Sequence, residues 1–280
     1  MVSTFNTGSG GRIPRAQDNR GFPLIIDAHS HVHDPVHQHL ALLDEAGADR
    51  AVLFATRPHP ERATDLASFH REMSVLDAAL NGAPGDGYQS AWQELESALA
   101  AHPGRFLGFR SVRLDRSGDQ LAAEVDQVAR GFHGIGELTP APGAAARIEP
   151  VLRAATDHNG LPVVVHGSAP TTEADLSTLA ALARRYPAVP LVISQLGGAH
   201  WLTAIDLARE TPNIYLELST ASIVFAVRLA INELPDRTMF GSDAPYGDPV
   251  LSRATIERVT PPGELRDRVL GGTMGEVLGL

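Results

Sequence analysis

The chain has 280 residues, of which 43% are hydrophobic, and its formal net charge at pH 7 is −10. This length suits one α/β barrel with a large core, whereas the acidic balance argues against a nucleic-acid-binding surface and gives no reason to expect a membrane partner. The chain has no cysteine, so disulfides and thiolate metal sites are excluded. Any bound metal must be held by His, Asp or Glu.

The first 22 residues are rich in Gly, Ser and Asn and have no apolar stretch like that of a secretory signal. We expect residues 1–22 to form a flexible N-terminal arm and residues 23–280 to form a single domain. No apolar run approaches the length of a membrane span. The expected location is the cytoplasm.

Eight apolar runs alternate with helical patterns along the rest of the chain. Most runs are continuous, which is typical of parallel strands buried on both faces. The pattern predicts an α/β fold, a single (β/α)8 TIM barrel. The predicted strands are Leu24–Asp27, Ala51–Phe54, Phe106–Val112, Gly134–Leu138, Leu161–His166, Leu191–Gln195, Ile214–Leu218 and Thr238–Asp243.

The connection between the second and third strands is long, from Ala55 to Arg105. It predicts an inserted segment after strand 2, placed over the barrel mouth. A doubly wound sheet is the weaker alternative, because it would need a Gly-rich phosphate loop after the first strand, where this chain has His-Ser-His. Amphipathic spacing predicts helices over Leu121–Arg130, Ile148–His158 and Ala174–Arg185.

Polar side chains end several of the predicted strands. His29 and His31 are two residues apart, so in a strand they project from the same face. Taken singly, each position has a bland explanation: His166 as a hydrogen-bonded strand end, and Asp243 as a turn former. In a barrel all of these ends meet at one mouth, and neutral imidazole and carboxylate are good ligands for a divalent metal. The set therefore predicts a metal site.

Four strand ends carry the motifs IDAHSH (26–31), VVVH (163–166), QLGG (195–198) and FGSDAP (240–245). These motifs resemble those of the amidohydrolase superfamily. The similarity runs from about Leu24 to the C-terminus and is greatest to the amidohydrolase-related branch, which contains 2-amino-3-carboxymuconate 6-semialdehyde decarboxylase, resorcylate-type decarboxylases and dicarboxylate lactonases. The resemblance implies that a divalent metal, commonly zinc, is bound by His29, His31, His166 and Asp243.

One motif departs from the family pattern, which has a histidine where this chain has Gln195 at the end of strand 6. Glutamine donates a hydrogen bond but does not exchange protons near neutral pH. Glu137 lies in a segment, GIGEL, that resembles TatD-like members in which the glutamate contacts or bridges metals. We therefore expect one zinc ion rather than two, with Glu137 as a fifth ligand or a neighbour of the ligands.

The leading functional expectation is a metal-dependent hydrolase of an amide, cyclic amide, lactone or ester. A metal-activated water would attack the carbonyl, and Asp243 would act as general base beside Gln195 and Glu137. The partner expected is a small-molecule substrate, including one that bears a carboxylate, and the branch resemblance implies a homodimer. Candidate substrate-binding residues are Arg57, His59, Arg110, Arg113 and Tyr246.

Two alternatives stay open. One is a metal-dependent, non-oxidative decarboxylase of a hydroxy- or amino-substituted carboxylic acid, which the branch resemblance supports and the loss of the strand-6 histidine weakens. The other is a barrel that retains metal but has lost turnover, which the change to Gln195 suggests. The reaction product separates the first alternative from hydrolysis, since only decarboxylation releases carbon dioxide.

Overall fold

The computed structural model describes residues 23–80, 87–116 and 118–280. The predicted arm at residues 1–22 lies outside the described residues. The described chain contains one sheet of eight strands, paired in parallel in chain order from β1 to β8. The strands are β1 (Ile26–His31), β2 (Arg50–Phe54), β3 (Phe106–Arg110), β4 (Gly134–Leu138), β5 (Val163–Val165), β6 (Leu191–Ile193), β7 (Ile214–Glu217) and β8 (Thr238–Met239).

The sheet curls until its first strand meets the segment that follows its last. The backbone N–H of Ala28 donates to the Phe240 carbonyl over 2.9 Å, and that of His31 donates to the Ala244 carbonyl over 2.7 Å. A parallel bridge between Ser30 and Ala244 completes the contact. The result is a nearly closed (β/α)8 barrel, which confirms the predicted fold class.

The helices follow the strands and cover the outside of the barrel. In α6 the buried positions Leu176, Leu179 and Ala183 face the sheet, as their three- and four-residue spacing requires. Thr172 and Asp175 form a reciprocal capping box at the start of this helix. The helices are α1 (Val36–Ala46), α2 (Leu66–Leu80), α3 (Gly87–Ala101), α4 (Gly118–Gly131), α5 (Glu149–Asp157), α6 (Glu173–Arg185), α7 (Trp201–Glu210), α8 (Val224–Glu233), α9 (Pro249–Val259), α10 (Glu264–Asp267) and α11 (Thr273–Leu278).

Both faces of the strands are buried, as the continuous apolar runs predict. Along β5, Val163 and Val165 belong to the core between the sheet and the helices. Val164 belongs to a separate core inside the barrel, together with Ile26 and Phe109. Successive side chains of one strand therefore fill two different cores.

Several strand boundaries differ from the prediction, and the ends of β1 and β8 differ most. β1 continues to His31 instead of ending at Asp27, and β8 ends at Met239 instead of Asp243. The first strand is longer because it pairs with β2 as far as His31. The last is shorter because the chain turns at Asp243, whose φ of 57° is incompatible with a strand.

The connection between β2 and β3 carries α2 and α3. Residues 81–86 of this connection lie outside the described residues, and its interpretation as an insertion over the mouth stays a prediction. No helix within residues 23–80, 87–116 and 118–280 is long and apolar enough to cross a membrane.

Candidate metal centre

His29 and His31 lie at the carboxyl end of β1, and both side chains are buried. Their Nε2 atoms are 3.4 Å apart. The Nδ1 of His29 donates to Oε2 of Glu217 over 3.0 Å, and the Nδ1 of His31 lies 3.4 Å from the Ala55 carbonyl. Because each Nδ1 faces an acceptor, each ring presents its Nε2 to the barrel mouth.

Asp243 reaches the same point from the turn after β8. Its backbone N–H donates to the His29 carbonyl over 2.7 Å. This hydrogen bond holds Asp243, whose backbone is in the left-handed region, against β1. Its Oδ1 lies 3.2 Å from Nε2 of His31 and 3.5 Å from Nε2 of His29. This oxygen is buried and has no hydrogen-bond partner among the described residues. A buried carboxylate oxygen without a hydrogen-bond partner, lying between two imidazole nitrogens, is suited to binding a cation.

Glu137 brings a second carboxylate from the end of β4. Its Oε2 lies 3.8 Å from Nε2 of His29 and 3.9 Å from Nε2 of His31. Its other oxygen, Oε1, accepts hydrogen bonds from Ser194 Oγ over 2.8 Å and from His166 Nδ1 over 3.0 Å. One oxygen is therefore held by the protein while the other faces the two histidines.

The negative charges around His29 have a marked effect on its proton affinity. Burial opposes protonation, but the carboxylates of Glu137, Asp243 and Glu217 outweigh it and raise the pKa of His29 to about 10. For Asp243, burial is outweighed by the nearby charges of His29 and His31, so its pKa is lowered. The cluster thus needs positive charge, and a divalent cation would supply it while leaving the imidazoles neutral.

The atoms of this cluster fit one divalent cation. Atoms bound to one tetrahedral zinc at about 2.0–2.1 Å lie about 3.3 Å apart. The Nε2 atoms of His29 and His31 and the Oδ1 of Asp243 are separated by 3.4, 3.5 and 3.2 Å. The same three residues form the group of potential metal ligands within the described chain. A donor set of imidazole and carboxylate suits zinc, manganese or iron.

His166 lies beside this cluster, directly after β5, but both of its nitrogens have other partners. Nδ1 donates to Oε1 of Glu137, and Nε2 donates to the Ala169 carbonyl over 3.0 Å. Burial opposes its protonation, but the charge of Glu137 raises the pKa of His166. An acceptor at each nitrogen favours the doubly protonated form of the ring. Its role as a metal ligand stays a prediction.

Gln195 holds Asp243 from the opposite side. Its Nε2 donates to Asp243 Oδ2 over 2.9 Å, while its Oε1 accepts from the Ser168 N–H over 3.0 Å. Its backbone N–H donates to Glu217 over 3.1 Å. Gln195 itself has a φ of 55°, and the run 195–198 stays at positive φ. Strained backbone of this kind persists only where its surroundings over-determine it, as these contacts do.

Two buried carboxylates that support the site were not among the predicted residues. Glu217 accepts from the ring of His29 and from the backbone N–H of Gln195. Asp27 accepts from the backbone N–H and the Oγ of Ser242, and burial raises the pKa of Asp27 to about 6. Both carboxylates lie within or at the end of an apolar run in the sequence, which is the signal that they need buried partners.

A cavity of about 950 Å³ opens above the cluster. Its walls are largely apolar and include Leu138, Val112 and Met73 of α2. Its floor contains five of the predicted site residues. These are His31, Glu137, His166, Gln195 and Asp243.

Of the five predicted substrate-binding residues, the structure brings Arg57, Arg113 and Tyr246 to this cavity. Arg110 and His59 do not line it. The guanidinium of Arg110 stacks on the ring of Trp92, 4.2 Å from the ring centre. His59 is buried between two carboxylates, with Nδ1 3.0 Å from Oε1 of Glu61 and Nε2 3.1 Å from Oε2 of Glu94.

Comparison with solved structures finds similar barrels. The 5-carboxyvanillate decarboxylase from Sphingomonas paucimobilis is 17% identical and covers 92% of this chain and 100% of its own, with a TM-score of 0.66. A dihydroxybenzoic acid decarboxylase from a Polaromonas species, with bound manganese and the inhibitor 2-nitroresorcinol, is 16% identical and covers 92% and 98%, with a TM-score of 0.65.

A third similar structure is named as a hydrolase. The probable 2-pyrone-4,6-dicarboxylic acid hydrolase from Acinetobacter baumannii, with citric acid bound, is 16% identical and covers 91% of this chain and 99% of its own, with a TM-score of 0.59. At these identities the likeness establishes the fold alone. A search of curated protein sequences finds no significant match.

The family assignment comes from the sequence itself. The model of the family Amidohydro_2, described as amidohydrolase, matches residues 26–280. The match spans all eight strands and every residue of the metal cluster. The chain therefore belongs to the amidohydrolase family Amidohydro_2, as the motifs at its strand ends predict.

Proposed function

We propose that this protein is a metal-dependent, non-oxidative decarboxylase of a hydroxy- or amino-substituted carboxylic acid. The observation that carries the proposal is that the two oxygens of the Asp243 carboxylate have different partners. Oδ1 faces the histidines, and Oδ2 accepts a hydrogen bond from the Gln195 amide. In metal-assisted hydrolysis this second oxygen must take the proton of the attacking water. A hydrogen bond to the charged carboxylate lowers its proton affinity, so the arrangement disfavours that role.

The cation would be held by His29, His31 and Asp243, with Glu137 next to them. When bound, it would act as a Lewis acid toward the substrate's carboxylate and an adjacent hydroxyl or amino group. Glu217 fixes the ring of His29 through Nδ1, so that Nε2 stays in place for the metal.

Loss of carbon dioxide leaves an electron pair on carbon, and a proton must replace the carboxylate. His166 lines the cavity, and both of its ring nitrogens face acceptors outside the group formed by His29, His31 and Asp243. We assign it the role of the acid that delivers this proton, with Glu137 holding the ring in position.

The structural likenesses support this choice over hydrolysis. Two of the similar barrels are named as decarboxylases, and one of them contains manganese. A further similar structure, 14% identical with a TM-score of 0.65, is a 2,6-dihydroxybenzoate decarboxylase complexed with 2,6-dihydroxybenzoate. Hydroxylated aromatic acids are therefore the first compounds to test.

The test is a product assay on protein loaded with manganese or zinc. We expect carbon dioxide release from 2,6-dihydroxybenzoate or 5-carboxyvanillate, and its loss when His29 and His31 are both replaced by alanine. Ring opening of 2-pyrone-4,6-dicarboxylate without carbon dioxide would instead establish the hydrolase. Metal-replete protein that acts on none of these compounds would support the barrel that binds metal without turnover.

A further inference from the structure

Three arginines line the cavity from three consecutive connections of the barrel. Arg57 follows β2, Arg113 follows β3, and Arg147 lies in the 3-10 turn Ala145–Ile148 after β4. Because neighbouring strands of a barrel place their connections side by side, the positive charges collect on one side of the mouth. The side formed by the connection after β5 contributes Ser168 and the ring of His166.

These arginines differ in how their charge is used. The guanidinium of Arg113 donates to both oxygens of Asp115, over 3.3 Å from Nε and 3.0 Å from Nη2. The guanidinium of Arg147 makes no hydrogen bond or ion pair with any residue in the described part of the chain. Arg147 therefore brings to the cavity wall a positive charge that has no ionic partner among the described residues.

The chain segment between Glu137 and Arg147 contributes mainly apolar residues to the cavity lining. It contains Leu138, Pro140 and Ala144, all of which line the cavity. An aromatic ring can lie against such a wall while anionic groups at its two ends meet the cation at the floor and the guanidinium at the rim. Guanidinium is the side chain best suited to a carboxylate, which it binds through two parallel hydrogen bonds.

We propose that Arg147 is a specificity-determining residue that binds a second anionic group of the substrate, with Arg57 and Arg113 beside it. This inference rests on the proposed function and deepens it: the substrate is an aromatic dicarboxylate. One carboxylate is lost at the metal centre, and the other is retained and directed toward the side of the mouth formed after β2, β3 and β4.

The test measures binding of unreactive probes to the metal-loaded protein by calorimetry. We expect isophthalate to bind about tenfold more tightly than benzoate, the gain of one good charge-assisted contact. Arg147→Gln should remove this preference and leave benzoate affinity unchanged. Arg153→Gln is the matched control, since Arg153 is an exposed arginine of α5 that pairs with Glu149 outside the cavity and its loss changes the net charge equally.

Equal affinity of the wild type for the two probes, or binding of neither, would overturn the proposal. So would a preference for isophthalate that survives in Arg147→Gln, because the second carboxylate would then be held elsewhere. Circular dichroism of both variants checks that they fold. The binding experiment measures no turnover, so its result is independent of the product assay proposed above. A protein that prefers isophthalate here but releases no carbon dioxide in that assay would refute the decarboxylase and leave the anion site supported.

Discussion

The side-chain amide of Gln195 donates to Oδ2 of Asp243 over 2.9 Å, so that Oδ1 is left 3.2 Å from Nε2 of His31. The family pattern has a histidine where this chain has Gln195. The amide holds the carboxylate by a hydrogen bond but does not exchange protons near neutral pH. Gln195 therefore orients the candidate metal ligand Asp243 without acting as an acid or a base.

Replacing Gln195 by methionine tests this relationship. Methionine keeps the length of the side chain but donates nothing to Asp243, so the carboxylate can rotate. We expect kcat to fall about tenfold to a hundredfold, as is usual when a hydrogen-bond partner of a metal ligand is lost. Bound metal, measured by elemental analysis, should stay near the wild-type level. A variant with wild-type kcat would show that the hydrogen bond does not position Asp243 for the reaction.

Glu217→Gln tests how the buried carboxylate behind His29 contributes to metal binding. The amide keeps the size of the side chain but removes the negative charge that orients the His29 ring. Metal affinity, measured by competition with a chelator, should fall about tenfold to a hundredfold. Glu233→Gln is the control, because Glu233 pairs with Arg209 on the helical surface. Equal affinities of the two variants would contradict a role for Glu217.

His166→Asn separates the two roles considered for this residue. If His166 is the acid, turnover should fall at least a hundredfold while bound metal stays near one equivalent, since its nitrogens face Glu137 and the Ala169 carbonyl. If it is a ligand, as the family resemblance implies, bound metal should drop well below one equivalent. His158→Asn, at the end of α5 and outside the cavity, should change neither quantity.

A buried histidine pair predicts the acid sensitivity of the fold. The rings of His33 and His39 stack 4.2 Å apart, and neither nitrogen of His39 has a hydrogen-bond partner among the described residues. Burial lowers the pKa of His33 to about 4 and lowers that of His39. The unfolded chain therefore binds more protons than the folded chain between about pH 6.5 and pH 4.

The free energy of unfolding should consequently fall as the pH drops through this window and be fully restored above it. A shift of this size in one histidine corresponds to about 3 kcal/mol. His39→Phe removes one of the two groups and places an aromatic ring beside Phe106. In urea titrations at pH 4.5 and pH 7.5, at equal metal loading, the variant should lose less stability than the wild type. An equal loss in both proteins would exclude His39 as a cause.

The sequence alone was enough to predict the barrel and the ends of its strands that carry chemistry. Continuous apolar runs such as Val163–Val165 require burial on both faces, and a repeated strand–helix pattern satisfies this by closing into a barrel. The two-residue spacing of His29 and His31 placed them on one face, and Asp243 followed from the last predicted strand. These inferences depend on local periodicity, which one segment of chain contains in full.

The tertiary structure alone decided what the remaining polar residues do. Arg110 and Arg113 lie three positions apart in the sequence, yet one stacks on Trp92 and the other lines the cavity. Glu217 accepts a hydrogen bond from His29, and Gln195 donates one to Asp243, in each case between different strands or the segments that follow them. Such contacts depend on the orientation of each side chain at the barrel mouth. Residues distant in the sequence set that orientation, so no local sequence pattern predicts it.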